Sequence, residues 1–97
     1  MKIYVVFGTT GEYSDHREWP VASFEEQALA ERLVAAASAR ANEIHSDPSN
    51  RYSCPKGSNQ FDPEMEVDYT GTRYYFEEVD LHDSWPFVGD SAPKPAG

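Results

Sequence analysis

Between Ile3 and Phe7 apolar side chains occupy both parities, with Ile3, Val5 and Phe7 on one and Tyr4 and Val6 on the other. This pattern predicts a strand covered on much of both faces, which places it at the centre of a sheet. Gly8 to Asp15 interrupt it with small and polar residues, and "REWPVASF" at 17–24 resumes an extended pattern. Pro20 has no N–H to give to a ladder, so this second strand is expected at a sheet edge or a bulge. Ser23 followed by Glu26 has the spacing of a capping box, which predicts a helix start at Ser23. Glu25 and Glu26 suit its positive end, and Leu29, Leu33, Ala36, Ala37, Ala41 and Ile44 recur at helical spacing to about residue 45.

Residues 46–63 contain Pro48, Pro55, Pro63 and Gly57 among Asp, Ser and Asn, so the helix must stop and a long loop must follow. A loop of such length in a small domain is usually functional or mobile. Next, Met65, Val67 and Tyr69 alternate with Glu64, Glu66 and Asp68 before Thr70-Gly71, and a second extended run follows through Leu81. The alternation predicts a hairpin. In its second strand Tyr75, Val79 and Leu81 fall on one parity and Tyr74 and Phe76 on the other, so the buried parity is not decided. Trp85 and Phe87 are expected to dock, and residues 89–97 form a disordered tail. The fold expected is α+β, one domain over residues 1–88. It has an antiparallel sheet of three or four strands in the order β-β-α-β-β, and one long helix packed on one face.

Composition adds a charge bias. Seventeen acidic against eight basic residues give a net charge of −9. Residues 1–61 hold eight acids and six bases, a net of −2, whereas residues 62–83 hold eight acids and one base, a net of −7. Such a surface repels nucleic acid and anionic lipid and speeds encounters with basic proteins. It also serves solubility. The single cysteine, Cys54, excludes an internal disulfide and a multi-cysteine zinc site, and a reducing cytoplasm fits. No apolar run reaches the roughly 18 residues of a membrane span, and Met1-Lys2 lead into a strand pattern rather than a secretory signal.

Candidate chemistry is sparse. Gly8 and Gly11 follow a strand, but no helix or Gly-Lys-Ser/Thr succeeds them, and Glu12 and Asp15 put charge where a phosphate would sit. Consecutive Ser14, Asp15 and His16 cannot line up as nucleophile, base and orienter. Glu12, Asp15, His16 and Glu18 offer oxygen and nitrogen ligands without calcium-loop spacing, and underlie an alternative reading as a small metal- or nucleotide-dependent enzyme. His45, His82 and Cys54 are too scattered for a metal pattern. No cofactor is expected. On a strand, Glu64, Glu66 and Asp68 would repeat about every 7 Å, twice the 3.4 Å rise per phosphate of one DNA strand. Glu77, Glu78, Asp80 and Asp83 would extend that row, and Tyr69, Tyr74, Tyr75, Trp85 and Phe87 would supply interface anchors.

"TGEYSDHREWPVASF" at 10–24 and "FDPEMEVDYTGTRYYFEEV" at 61–79 together resemble a group of small proteins of bacteriophages and prophages. Those proteins have a Thr-Gly-Glu-Tyr-Ser-Asp…Glu-Trp segment, an Ala-rich helix and a late Asp-Tyr-Thr-Gly-Thr-x-Tyr segment. The resemblance spans most of residues 3–81 and implies a phage origin, with no catalytic residues to carry over. In size and charge the chain is also similar to phage proteins that bind and inhibit host proteins, anti-CRISPR proteins and DNA mimics among them. The expected activity is therefore non-enzymatic binding, in the cytoplasm of a bacterial host, to a basic host protein or ribonucleoprotein complex. Neither direct nucleic-acid contact nor membrane contact is expected, and the contact residues are Glu12, Asp15, Glu64, Glu66, Asp68, Tyr69, Glu77, Glu78 and Asp80. An exposed strand edge also suits a homodimeric accessory or assembly protein.

Overall fold

The computed structural model of the protein describes residues 1–82 and 84. The expected docking of Trp85 and Phe87, the tail at 89–97 and the charge of Asp83 lie outside the described residues. Three strands, β1 (Lys2–Thr10), β2 (Arg17–Phe24) and β3 (Thr72–Asp80), and one long helix, α1 (Gln27–His45), follow in the order β-β-α-β. The sheet is antiparallel with β1 in the middle, in the order β2-β1-β3. The class is α+β.

β1 and β2 form a hairpin joined by a short 3-10 turn at Tyr13–Asp15, opened by Gly11 at φ +83°. Pro20 satisfies both expectations at once: β2 is an edge strand, and its register slips between Val6, which faces Ala22, and Phe7, which faces Pro20. The extra residue, Val21, makes a bulge. Gly8 faces Trp19, and a Cβ at residue 8 would lie 2.7 Å from the indole ring. Glycine at this position lets the aromatic ring lie flat on the centre of the sheet.

The helix begins later than its sequence cue. Ser23 pairs with Val5 in the ladder, so it cannot cap; Glu26 is the N-cap, without a side-chain cap bond, and its carbonyl accepts the amides of Leu29 and Ala30. The helix buries Ala30, Ala37, Ala41 and Ile44, whereas Leu29 is 41% exposed. With small side chains at 37 and 41 the helix axis comes close, and Ala37, Ala41 and Ile44 cluster with Met65 and Tyr74, flanked by Trp19, Val21, Val34 and Cys54. This settles the parity of β3: Tyr74 belongs to the face of that core, while Tyr75 stacks on Phe7 on the opposite face, 5.4 Å between ring centroids.

The expected first strand of the second hairpin does not form. There is no strand at residues 62–71, and the sheet has no fourth member among the described residues. The alternation is still physical, because Met65 and Val67 are buried while Glu64 is exposed. The backbone of the segment is engaged elsewhere. The Pro63 carbonyl accepts from the Gly57 amide, the Glu66 carbonyl from the Thr72 hydroxyl, and the Asp68 amide donates to the Thr10 hydroxyl. Groups already satisfied in this way are not free to build a ladder.

Candidate protein-binding surface

The loop that replaces the fourth strand rests on a buried carboxylate. Asp62 is 2% exposed, and its Oδ2 accepts from the Trp19 Nε1–H at 2.9 Å and from the Tyr74 hydroxyl at 2.7 Å. Beside it Asn59, fully buried, donates to the Ala37 carbonyl and accepts from the Phe61 amide. Strand, helix and loop are thereby stitched together around one acid. Burial first, and then the bond to Asp62, raise the Tyr74 pKa far above the ordinary tyrosine value, so Tyr74 remains a neutral donor. Asp62, counted in the sequence among the surface acids, contributes no surface charge.

The next acids are held one by one, not displayed as a row. Glu64 pairs with Lys56 at 3.5 Å and Glu66 with Arg17 at 2.6 Å, which partly neutralises both. Asp68 Oδ1 accepts the Thr70 amide at 2.8 Å and the Thr70 hydroxyl, and Thr10 Oγ1 donates to the Gly71 carbonyl at 2.6 Å. Burial works against the charged form of Asp68, but the Thr70 and Thr10 hydrogen bonds prevail and hold its carboxyl below the usual aspartate value. With the segment off the sheet, the regular 7 Å spacing expected of Glu64, Glu66 and Asp68 has no strand to set it. Tyr69 is 55% exposed beside this turn.

At the other predicted contact, the Tyr13–Asp15 turn, the Asp15 carboxylate accepts the Glu12 amide at 3.1 Å. Tyr13 is 93% exposed and has φ +56°, an uncommon backbone for a tyrosine, and it is not among the contact residues expected from the sequence. The four side chains of the alternative metal reading do not converge. His16 hydrogen-bonds Thr9, Glu18 accepts the Tyr75 hydroxyl, and among the described residues no group of three or more His, Cys, Asp or Glu is arranged to hold a metal ion. A cleft of about 430 Å³ lies between this turn and the loop, lined by Asp15, Arg17, Cys54, Lys56, Glu66 and Asp68 among others. Its lining mixes both signs of charge.

β3 carries the remaining predicted acids. Glu77, Glu78 and Asp80 are exposed, with Lys2 lying 3.4 Å from Glu78 and 2.9 Å from Asp80. The hydrogen bond and charge of Asp80 raise the Lys2 pKa, and Lys2 in turn lowers that of Asp80. On the face opposite the core, the Tyr75 hydroxyl donates to Glu18 at 2.5 Å, and this bond above all pushes the Tyr75 pKa up to about 12. Glu77 stands on the same face without an ion-pair partner among the described residues. No described helix is long and apolar enough to cross a membrane. Comparison with family models, curated proteins and solved structures finds no match for the chain.

Proposed function

We propose that this chain is a non-enzymatic binding protein that recognises a basic surface on another protein and blocks it. A host protein that handles nucleic acid, such as a component of a CRISPR-type defence complex, is the fitting kind of partner, because its nucleic-acid channel is basic. The observation that carries the reading is how the charges are spent. Lys2, Arg17, Arg40 and Lys56 are each held in ion pairs with Glu78 and Asp80, Glu66, Glu43 and Glu64. Among the described residues exposed Glu12, Glu25, Glu26, Glu31 and Glu77 have no such partner, against Arg32, Arg51 and Arg73 among the bases. The excess of acid is therefore turned outward, where it accelerates encounter with a cationic surface. The phage resemblance of residues 10–24 and 61–79 supports the same assignment.

The proposal does not call for a DNA-like row of Glu64, Glu66 and Asp68 on a strand, since these three lie in a loop, where Lys56, Arg17 and Thr70 contact them. Exposed aromatic side chains, Tyr13 at 93% and Tyr69 at 55%, are available as anchors beside the charge. The test is capture of proteins from a bacterial lysate at low and moderate salt, with the unmodified chain and with E12K/E77K. Capture that weakens with salt and with the charge reversal is expected; capture indifferent to both overturns charge recognition.

A further inference from the structure

β3 is an edge strand whose outer side can be read from its inner side. Lys2 faces Asp80 and Ile3 faces Val79, and the Leu81 amide continues the ladder by donating to the Met1 carbonyl at 2.8 Å. In an antiparallel ladder hydrogen-bonded pairs alternate with non-bonded pairs. Residues 73, 75, 77 and 79 thus spend their amides and carbonyls on β1, and those of Tyr74, Phe76 and Glu78 point away from it. Among the described residues no backbone or side-chain hydrogen bond reaches those three outward-facing backbones. The segment whose alternation promised a fourth strand lies instead over the core, and among the described residues the place beside β3 is open.

We propose that the outer edge of β3 is the docking site for an extended, basic segment of a partner protein, which adds to the sheet as its fourth strand. This rests on the reading of the chain as a binder of basic proteins and deepens it. Addition of a strand uses main-chain hydrogen bonds for affinity and alternate side chains for specificity. Here the charged side chains of β3 and the adjoining Lys2 are Glu77, Glu78 and Asp80 against Lys2 and Arg73, a net of −1; Arg73 lies at the far end of the strand and donates to the Gly11 carbonyl at 3.2 Å, so residues 77–80 with Lys2 carry a net of −2. Phe76 on the face of the core and Val79 on the opposite face add an apolar side chain to each side of the edge, Val79 at 39% exposure. A segment alternating lysine or arginine with β-branched residues matches both features. A second copy of this chain fits less well, because a two-fold seam along β3 would gather six carboxylates against two lysines and two arginines, a net of −2. Charges placed along an open edge deter self-pairing in this way.

The test uses the full chain and three synthetic peptides: one alternating lysine and valine, the same peptide N-methylated at every residue, and one alternating glutamate and valine. Binding is followed by fluorescence anisotropy at low and moderate salt, and backbone amides by hydrogen exchange. The lysine peptide is expected to bind and to slow exchange at Tyr74, Phe76 and Glu78. N-methylation should weaken it by about tenfold or more, the equivalent of one or two net hydrogen bonds. Glu77→Lys, at an exposed position, should weaken the lysine peptide with no change in melting temperature. Equal binding of the methylated peptide overturns strand addition and leaves the charge reading standing. Equal binding of the glutamate peptide, with the three amides protected, overturns the basic partner while leaving the edge in use. Amides of Tyr74, Phe76 and Glu78 already protected in the free chain, or no binding of any peptide, overturn the proposal.

Discussion

Removing the Asp62 carboxylate strands two donors at once, which makes Asp62→Ala the most decisive perturbation of the fold. Each buried donor left without an acceptor costs about 1–3 kcal/mol, so the Trp19 indole N–H and the Tyr74 hydroxyl together cost about 2–6 kcal/mol. Trp19 is only half-buried and recovers part of its loss from water, which moves the expectation to the lower half, about 3 kcal/mol. A chain of this size has a total stability of about 5–15 kcal/mol, so the variant loses a large share of it. Tyr74→Phe alone removes one donor to a carboxylate and costs about 1.5–3 kcal/mol. In the Asp62→Ala background the sign changes: the hydroxyl is then an unsatisfied burden, and Tyr74→Phe should be neutral or stabilising. Urea unfolding of the four proteins by far-ultraviolet circular dichroism measures the cycle. Costs for the two substitutions that add within about 0.5 kcal/mol would refute the shared carboxylate as the joint between loop and sheet.

Other consequences follow from the same contacts. Gly11→Ala combines φ +83° with a Cβ only 2.3 Å from the Asp15 carbonyl oxygen, so a loss of at least about 1–2 kcal/mol is expected in the same unfolding assay. Asp68, whose folded pKa lies below its ordinary value, contributes stability that is present above the unfolded aspartate pKa and lost as pH falls through the folded one. Asp68→Asn should flatten that acid limb of a melting-temperature profile. Tyr75 should titrate near 12 in an alkaline absorbance titration, and Glu18→Gln should bring it back towards the ordinary value of about 10. Breaking the exposed Arg17–Glu66 pair with Arg17→Gln should change stability by less than about 1 kcal/mol.

Local cues in the sequence carried the elements whose partners are also local. Ile3 to Phe7 announced a central strand, Pro20 an edge or a bulge, and the Ala37, Ala41 and Ile44 spacing a buried helical stripe. Ser23 misled because two structures compete for it, and pairing with Val5 outweighs a capping box that Glu26 alone would have completed. Residues 64–69 misled for a subtler reason. Burial of Met65 and Val67 against exposure of Glu64 has period two in a loop as well as in a strand, and only the distant Thr10 and Thr72 hydroxyls decide between them. The candidate surface suffered the same limit. Whether an acid is turned outward depends on where Lys2, Arg17 and Lys56 arrive in space, and the burial of Asp62 depends on Trp19 and Tyr74, 43 and 12 residues away.

Among the described strands β1 comes first in the chain, and it is completed by β3, the last of them. During synthesis the β1–β2 hairpin and α1 can assemble from neighbouring sequence, but one side of β1 must wait until residues 72–80 have emerged. Until then the newborn chain presents a half-finished sheet with Ile3, Val5 and Phe7 beside an open ladder, the kind of surface that invites wrong pairings. Closure over so long a separation is slow. Among the described strands it is β3 whose arrival covers this side of β1, so truncation within residues 72–80 prolongs that exposed stage.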